Sequence, residues 1–461
     1  MELDPVFLSR LQFAFVIAFH ILLPAFTVGL ASFIVLLEGL HLVKRDPLYL
    51  RLSVFWTRIF AVSFGMGVVS GIVMPFQFGT NWSRYTDATG NILGPLFAYE
   101  GLIAFFLESG FLGILLFGRK RVPPVAHFFA AVMVAAGTLF SSFWILAANS
   151  WMQTPVGYDV VDGRYVPADW LAVIFNPSFP YRLVHTVTGF FLTTAFAVLG
   201  VAAWHLKHDR HVTEARTVLG MTVIFVAIFV PIQIFMGDLH GINTLHHQPV
   251  KLAAMEGLWD TQSHAPAVLF AIPDEAAERN RDEISIPALA SYYLGHSADA
   301  VIKGLKEAPP ADRPPVAPVF FAFRVMVGIG VLMLAIAYWG VWLRWRGRLY
   351  TSRAFHNACL AMLPAGFVAV VAGWTVTEVG RQPWVVYGLM RTRDAVSPSL
   401  TGTDVLTSIA LYILVYLVVF GAGIFYMVRL ARAGPPEHVD VREPNLDERP
   451  ARPLSGAHAD T

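Results

Sequence analysis

Four residues of this chain, all within apolar surroundings, are of types that do metal or charge chemistry. WTVTEVGRQPW, Trp374 to Trp384, follows a stretch whose only titratable nitrogen base is His356, so Glu378 stands at the last turn of a segment built to avoid water. Arg381 comes three residues later. An ionisable group in such a place needs a partner or a function. His20, His185 and Met326 stand in other apolar runs and add two imidazoles and a thioether. Singly, each has an ordinary explanation: a hydrogen-bonded packing histidine, a core-filling methionine, a Glu378–Arg381 ion pair. Together they form an inventory of iron ligands. Imidazole and thioether on opposite faces of a haem close a low-spin electron-transfer centre, whereas one His or one carboxylate leaves a coordination position open. The inventory suits one closed haem and two open ones.

The elements that must position these groups are membrane spans. Of 461 residues, 56% are hydrophobic and only 14% charged, which excludes an ordinary soluble domain. Apolar windows of about 18 residues or more, enough to cross a ~30 Å hydrocarbon core, recur along the chain. Nine are expected, at 11–38, 54–80, 93–118, 123–150, 182–206, 217–237, 318–343, 355–379 and 405–430. The fold class is therefore all-α, a polytopic helical bundle. The first run is too long for a cleavable signal and has no basic lead, so it is expected to stay as the first span. The single cysteine, Cys359, excludes an intrachain disulfide and any cysteine-based metal cluster.

Charge alternates between connections. The odd ones carry Lys44, Arg45 and Arg51; Arg119, Lys120 and Arg121; Lys207, Arg210 and Arg216; Arg344, Arg346, Arg348 and Arg353. The positive-inside rule then makes these connections and the C-terminus cytoplasmic, and the N-terminus external. At 1.5 Å per residue, His20 lies ~14 Å, His185 ~5 Å and Met326 ~12 Å from the outer ends of their spans, and Glu378 ends its span on that same side. The four candidate ligands fall in one half of the membrane.

Four segments follow: spans one to six over 1–237, an outer connection over 238–317, spans seven to nine over 318–430, and a cytoplasmic tail over 431–461. The tail from Gly434 has the composition of a disordered segment. GMGVVSG, Gly65 to Gly71, reads as close helix packing. His240, His246 and His247 fall in the outer connection and receive no ligand role.

Several stretches resemble subunit I of the cytochrome bd-type quinol oxidases: RLQFAFVIAFH ending at His20, YEGLIAFFLES with Glu100 and Glu108, SSFWILAANSWMQTPVG from Ser141, QPVKLAAMEGLWDTQ with Lys251 and Glu256, FRVMVG with Arg324 and Met326, and GWTVTEVGRQPW. They run through nearly the whole chain. The short 238–317 connection and the GRQPWVVYGLMRT continuation resemble the cyanide-insensitive branch of the family.

The resemblance implies that His185 and Met326 ligate a low-spin haem of the b558 type. It implies that His20 and Glu378 serve two high-spin haems, one of the b595 type and one haem d or a further haem b, with Trp374 beside them. Arg324 and Arg381 would neutralise propionates or the ligand carboxylate. The outer connection would bind quinol, Lys251 holding a quinone oxygen and Glu256 taking a hydroxyl proton. Glu100 and Glu108, with Ser109 and Ser141 nearby, would carry cytoplasmic protons to the site of oxygen reduction. The implied setting is a bacterial cytoplasmic (inner) membrane, among lipid, with oxidase subunit II and a small single-helix subunit. Quinol and O₂ are the implied substrates, and no nucleic-acid partner is expected.

Two other classes compete. An ion-coupled transporter also places carboxylates in its spans, but inverted repeats and broken midplane helices are missing from this sequence. An electron-relay subunit without oxygen chemistry needs only the His185/Met326 pair, which leaves His20 and Glu378 unexplained.

Overall fold

The computed structural model describes residues 4–439, apart from the side chains of Ile103 and Ala104. Among the described residues nine helices are long and apolar enough to span a membrane: Pro5–Lys44, Pro47–Thr80, Ser83–Phe117, Pro124–Gln153, Phe179–Lys207, Val212–His247, Val316–Trp345, Arg353–Val379 and Gly402–Ala433. They are called the first to the ninth span below. The expected disordered tail lies from residue 440 onward outside the described residues.

Local chemistry sets several boundaries. Asp4 accepts from the Val6 amide at 2.9 Å and Asp46 from the Leu48 amide at 2.8 Å, each followed by a proline at the first helical position. Thr401 and Asp404 form a reciprocal capping box on the ninth span. The third span changes winding: Glu100–Phe105 is π-helical between two α-helical halves. Such segments often mark functional sites.

Spans one, two, five and six bury the principal apolar core around Leu30, Ile34, Phe60, Phe196, Leu199 and Val223. The ninth span leaves Leu411, Leu414, Leu417 and Phe425 exposed, a face suited to lipid or to another membrane subunit. The fifth, sixth, seventh and eighth spans close a ring in which fifth packs on sixth, sixth on seventh, seventh on eighth and eighth on fifth. The fifth and seventh spans thus occupy opposite corners.

The connection expected over 238–317 differs in two ways. The sixth span runs on to His247, ten residues past the expected limit of 237. Its polar residues find partners there: Asn243 donates to the Pro177 carbonyl at 3.0 Å and accepts from the Ser178 hydroxyl at 3.2 Å. Hydropathy registers such residues as loop, while tertiary hydrogen bonds keep them helical.

The remainder is folded rather than irregular. It contains helix Pro249–Glu256, an antiparallel hairpin of Ala267–Asp274 with Arg279–Ile286, and helix Leu289–Gly295. Leu252, Leu258, Trp259 and Ile302 form its core with Val316 and Val319 of the seventh span and Val376 of the eighth. Gly257 ends the first helix at φ +73°, and a Cβ there would lie 2.6 Å from the Phe320 ring, so only glycine fits this turn.

Candidate functional site

On the first span, His20 places Nδ1 2.9 Å from the Ser70 hydroxyl oxygen of the second span. Ser70 Oγ in turn lies 3.1 Å from the Met66 carbonyl and 3.0 Å from that of Gly67. Its hydrogen goes to a carbonyl, so the oxygen accepts from Nδ1–H and leaves Nε2 as a free lone pair. That tautomer suits a metal ligand with a fixed outer partner. A Cβ on Gly71 would sit 3.2 Å from His20 Cε1, so GMGVVSG serves close packing and also carries the serine that orients the ring.

Glu378 sits inside a polar cluster drawn from four elements. One oxygen pairs with Arg381, and the other accepts from Asn149 at 3.1 Å and Gln153 at 3.4 Å, both on the fourth span. Arg182 of the fifth span bonds Asn149 and, through Nε at 3.0 Å, Ser150. Lys251 donates to Gln153 Oε1 and Gln248 Oε1, each at 2.6 Å. The side chains of Arg182, Lys251 and Arg381 are all buried. Burial, then the nearby Arg182 and Arg381, push the Lys251 amine well below its ordinary value, with Glu378 opposing. A neutral amine has two N–H bonds for the two amide oxygens and keeps a lone pair.

Lys251 and Glu256 share helix Pro249–Glu256 but sit five residues apart, about 140° around it at 100° per residue. Glu256 turns to the other side, where Tyr293 donates to it and Arg324 lies near. Burial raises the Glu256 carboxyl above its usual range, and those two neighbours oppose the rise. Arg324 itself donates Nη1 to the Met255 carbonyl at 2.6 Å and the Phe320 carbonyl at 3.1 Å, and Nη2 to the carbonyls of Glu256 at 3.3 Å and Val268. It thereby caps the helix C-terminus, as a cation should. Only its Nε, buried and without a partner, is left for another acceptor.

His185 on the fifth span lies against the sixth. Gln233 Nε2 is 3.3 Å from His185 Nδ1, the His240 ring is 5.5 Å away centre to centre, and a Cβ at Gly237 would come within 3.2 Å. Met326 on the seventh span lies against the eighth, its sulfur 2.9 Å from where a Gly373 Cβ would be. The ring of spans therefore sets His185 and Met326 at opposite corners, with glycine at the other two. Trp374 packs with Ile21, Ala25, Val28 and Phe190, next to His20 in the chain.

Ser141 of the fourth span donates to Glu100 of the third at 2.9 Å, where the π-helical segment begins. Glu108 is buried in the following α-helical half. Ser109 Oγ reaches only back to its own helix, at 3.4 Å from the Phe106 carbonyl.

The comparisons with known proteins follow this geometry. The profile described as "Cytochrome bd terminal oxidase subunit I" matches residues 8–435. The chain belongs to the cytochrome bd terminal oxidase subunit I family. "Cytochrome bd ubiquinol oxidase subunit 1" of Bacillus subtilis (strain 168) is 37% identical over 438 residues, covering 93% of each chain. "Cytochrome bd-II ubiquinol oxidase subunit 1" of Escherichia coli (strain K12) is 32% identical over 500 residues, covering 94% of this chain and 97% of that one. The solved bd oxidase of Geobacillus thermodenitrificans superposes with TM-score 0.87 at 31% identity, over 94% of this chain and 100% of the matched one.

Membership in the bd family implies haem, and the residues present fit it. Around Glu378 two buried guanidinium cations, Arg182 and Arg381, meet one carboxylate beside the neutral Lys251 amine, and Arg381 Nε and Nη1 are buried without partners. Such a surplus calls for further anions, which haem propionates provide.

The sequence pointed to Glu378, Arg381 and Lys251 but missed what joins them: Arg182, Asn149, Gln153 and Gln248. Asn149 and Gln153, one turn apart within SSFWILAANSWMQTPVG, were the legible signal, since two amides on one face of an otherwise apolar helix end need partners. Gln233 and His240 beside His185 were missed because hydropathy alone cannot say which span they face.

Proposed function

We propose that His185 and Met326 hold a low-spin haem of the b558 type, and that His20 and Glu378 each hold one of two high-spin haems, b595 and either haem d or a further haem b. Quinol is oxidised beside helix Pro249–Glu256. The overall reaction follows from family membership: the chain is a subunit of a terminal quinol:oxygen oxidoreductase, a multi-pass membrane protein that works with oxidase subunit II. When bound, the haems supply one-electron transfer and the reduction of O₂. Basic connections between spans favour a cytoplasmic-membrane placement with the N-terminus outside, and the exposed face of the ninth span leaves room for lipid or a small single-helix subunit.

The observation that carries this reading is the buried hydrogen-bond path from Lys251 through Gln153 to Glu378, which ties the outer segment to a candidate iron ligand. At its outer end Lys251 holds one quinol oxygen. Glu256, kept in place by Tyr293, takes a hydroxyl proton as electrons leave, and that proton exits on the outer side. Arg324 fixes the helix carrying both. Asn149, Gln153 and Arg381 hold the Glu378 carboxylate in place, with Arg182 bracing Asn149 from behind. Glu108 and Glu100 move protons from the opposite side, with Ser141 orienting Glu100.

Lys251→Met keeps the aliphatic volume and removes the amine. Quinol oxidation is expected to fall roughly tenfold or more, the worth of one lost hydrogen bond to a reacting group, while oxygen consumption driven by an artificial donor bypassing quinol is retained. Equal loss with both donors would count against a quinol role. Met326→Leu removes the thioether with little change in volume. The reduced spectrum is expected to lose its low-spin six-coordinate band in a protein that still assembles, and an unaltered low-spin spectrum would remove Met326 as a ligand.

A further inference from the structure

Away from the site just described, a second buried polar cluster occupies the opposite end of the bundle, where the first and third spans end and the second and fourth begin. Glu38 is 3% exposed and His127 2% exposed. One Glu38 oxygen takes the Ser53 hydroxyl and an Arg119 nitrogen. Arg119 also reaches the other carboxylate oxygen at 3.4 Å and the Ser53 oxygen at 3.3 Å. His127 Nε2 lies 3.1 Å from the Leu115 carbonyl of the third span, and Nδ1 lies 3.4 Å from Glu38 Oε2.

The hydrogen bookkeeping of this pair is restrictive. A carbonyl only accepts, so Nε2 must carry hydrogen. Nδ1 therefore either bears a proton facing a carboxylate or presents a lone pair to a protonated carboxyl. With no proton between them, a buried lone pair would face a carboxylate oxygen, which low local dielectric makes costly. The geometry leaves a place for one further proton between Nδ1 and Oε2, 3.4 Å apart, where Nδ1 has no hydrogen-bond partner, and the Arg119 guanidinium stands alongside. Arg119 is 18% exposed and belongs to the basic connection after the third span, so the cluster has a rim open to solvent.

The cluster also has an inner exit. In the α-helical half Phe106–Phe117 the buried residues are Glu108 and Leu115. They are seven residues, about two turns or ~10 Å, apart on one helix face. Leu115 carries the carbonyl that holds His127.

We propose that the Glu38–His127 pair is the proton-collecting station that loads Glu108. The inference rests on reading Glu108 as a proton carrier. In the transfer the N–H bond at His127 Nδ1 breaks, water along the Glu108–Leu115 stripe relays the proton, and an O–H bond forms at the Glu108 carboxylate. A proton from solvent at the Arg119 rim restores the pair. No electrons move.

The test uses the whole haem-loaded oxidase complex in proteoliposomes. His127→Gln retains a donor for the Leu115 carbonyl but cannot carry a proton. Proton uptake and oxygen reduction should slow roughly tenfold or more, while haem content and the quinol-driven reduction of the low-spin haem stay at wild-type level. Glu38→Asp, which keeps the carboxyl, should retain most of the uptake rate while Glu38→Gln loses it with haem content intact, and that contrast decides the matter if His127→Gln fails to assemble. A purely structural cluster would lower thermal stability or haem content and leave the rate of proton uptake per haem-loaded complex at the wild-type level, which overturns the proposal. If Glu108→Leu blocks uptake and His127→Gln does not, this inference alone fails. If neither blocks it, the reading of Glu108 fails as well.

Discussion

Replacing Glu378 by Ala is expected to cost the complex a high-spin haem and much of its stability. The carboxylate is the single acid among Arg182, Lys251 and Arg381, and it accepts from Asn149 and Gln153 besides. Removing one partner of a fully buried ion pair costs about 3–5 kcal/mol; Glu378 is 21% exposed, so solvent screening brings the cost to the low end of that range or below. Against a typical total of about 5–15 kcal/mol, that is a large fraction. Haem content per chain, the high-spin bands of the reduced spectrum and the thermal midpoint measure the effect. Glu378→Gln separates the two causes, because an amide can still bond Asn149 and Gln153 but neither ligates iron well nor offsets a cation. Its haem loss should match that of the alanine variant, whatever its stability. Full haem occupancy in both variants would end the assignment of Glu378 as a ligand.

The membrane architecture was legible because it rests on one strong signal. A backbone in hydrocarbon must satisfy its own hydrogen bonds, so long apolar windows become helices, and all nine windows did, although the eighth breaks at residues 362–364 into Arg353–Ala361 and Ala365–Val379, an interruption that the sequence was not expected to contain. Boundaries were less legible. The sixth span continued through Asp238, His240 and Asn243 because packing against the fifth span satisfies Asn243, a long-range fact that no local window contains. The third span began ten residues before its apolar window, at Ser83, with a polar amphipathic turn that hydropathy reads as loop. The π-helical segment at Glu100 left no sequence mark.

The candidate site was legible residue by residue but not as a network. Single ionisable groups in apolar runs stand out, so Glu378, His20, Glu100 and Glu108 could be named. Amides do not stand out in that way, although Gln153 is the atom-level link between Lys251 and Glu378. Glu38 and His127 passed unnoticed for another reason. Each lies near a span end beside basic connections, where a charged residue looks solvated, and only the folded bundle reveals that both are buried. Arg324 was expected to neutralise a propionate or the ligand carboxylate; its terminal nitrogens hold the carbonyls of Met255, Glu256, Phe320 and Val268, which leaves only Nε for such a role. A cation near a helix C-terminus has two plausible employers, and spacing does not choose between them.

Glu108→Leu should slow oxygen reduction by about 100-fold, the usual worth of a positioned acid–base group, while quinol still reduces the low-spin haem at close to the wild-type rate. On the proposed scheme the two half-reactions use protons at different ends of the molecule: quinol protons would leave beside Glu256, whereas protons for water formation would rise along the third span past the buried Glu108 to Glu100, which accepts from Ser141. In that scheme electron transfer inward from quinol and proton transfer outward from the opposite side would together move about one charge per electron, worth ~2.3 kcal/mol per 100 mV, with no pump. Leucine matches the volume of the buried carboxyl, so packing is preserved and a folding defect is not expected. The measurement pairs oxygen consumption with proton uptake from the interior of proteoliposomes holding the variant complex. Normal turnover with normal interior uptake would take Glu108 off the path. Uptake from the outer face in the unmodified complex would be worse for this scheme, since charge separation would then require a pump for which the third span supplies no second track.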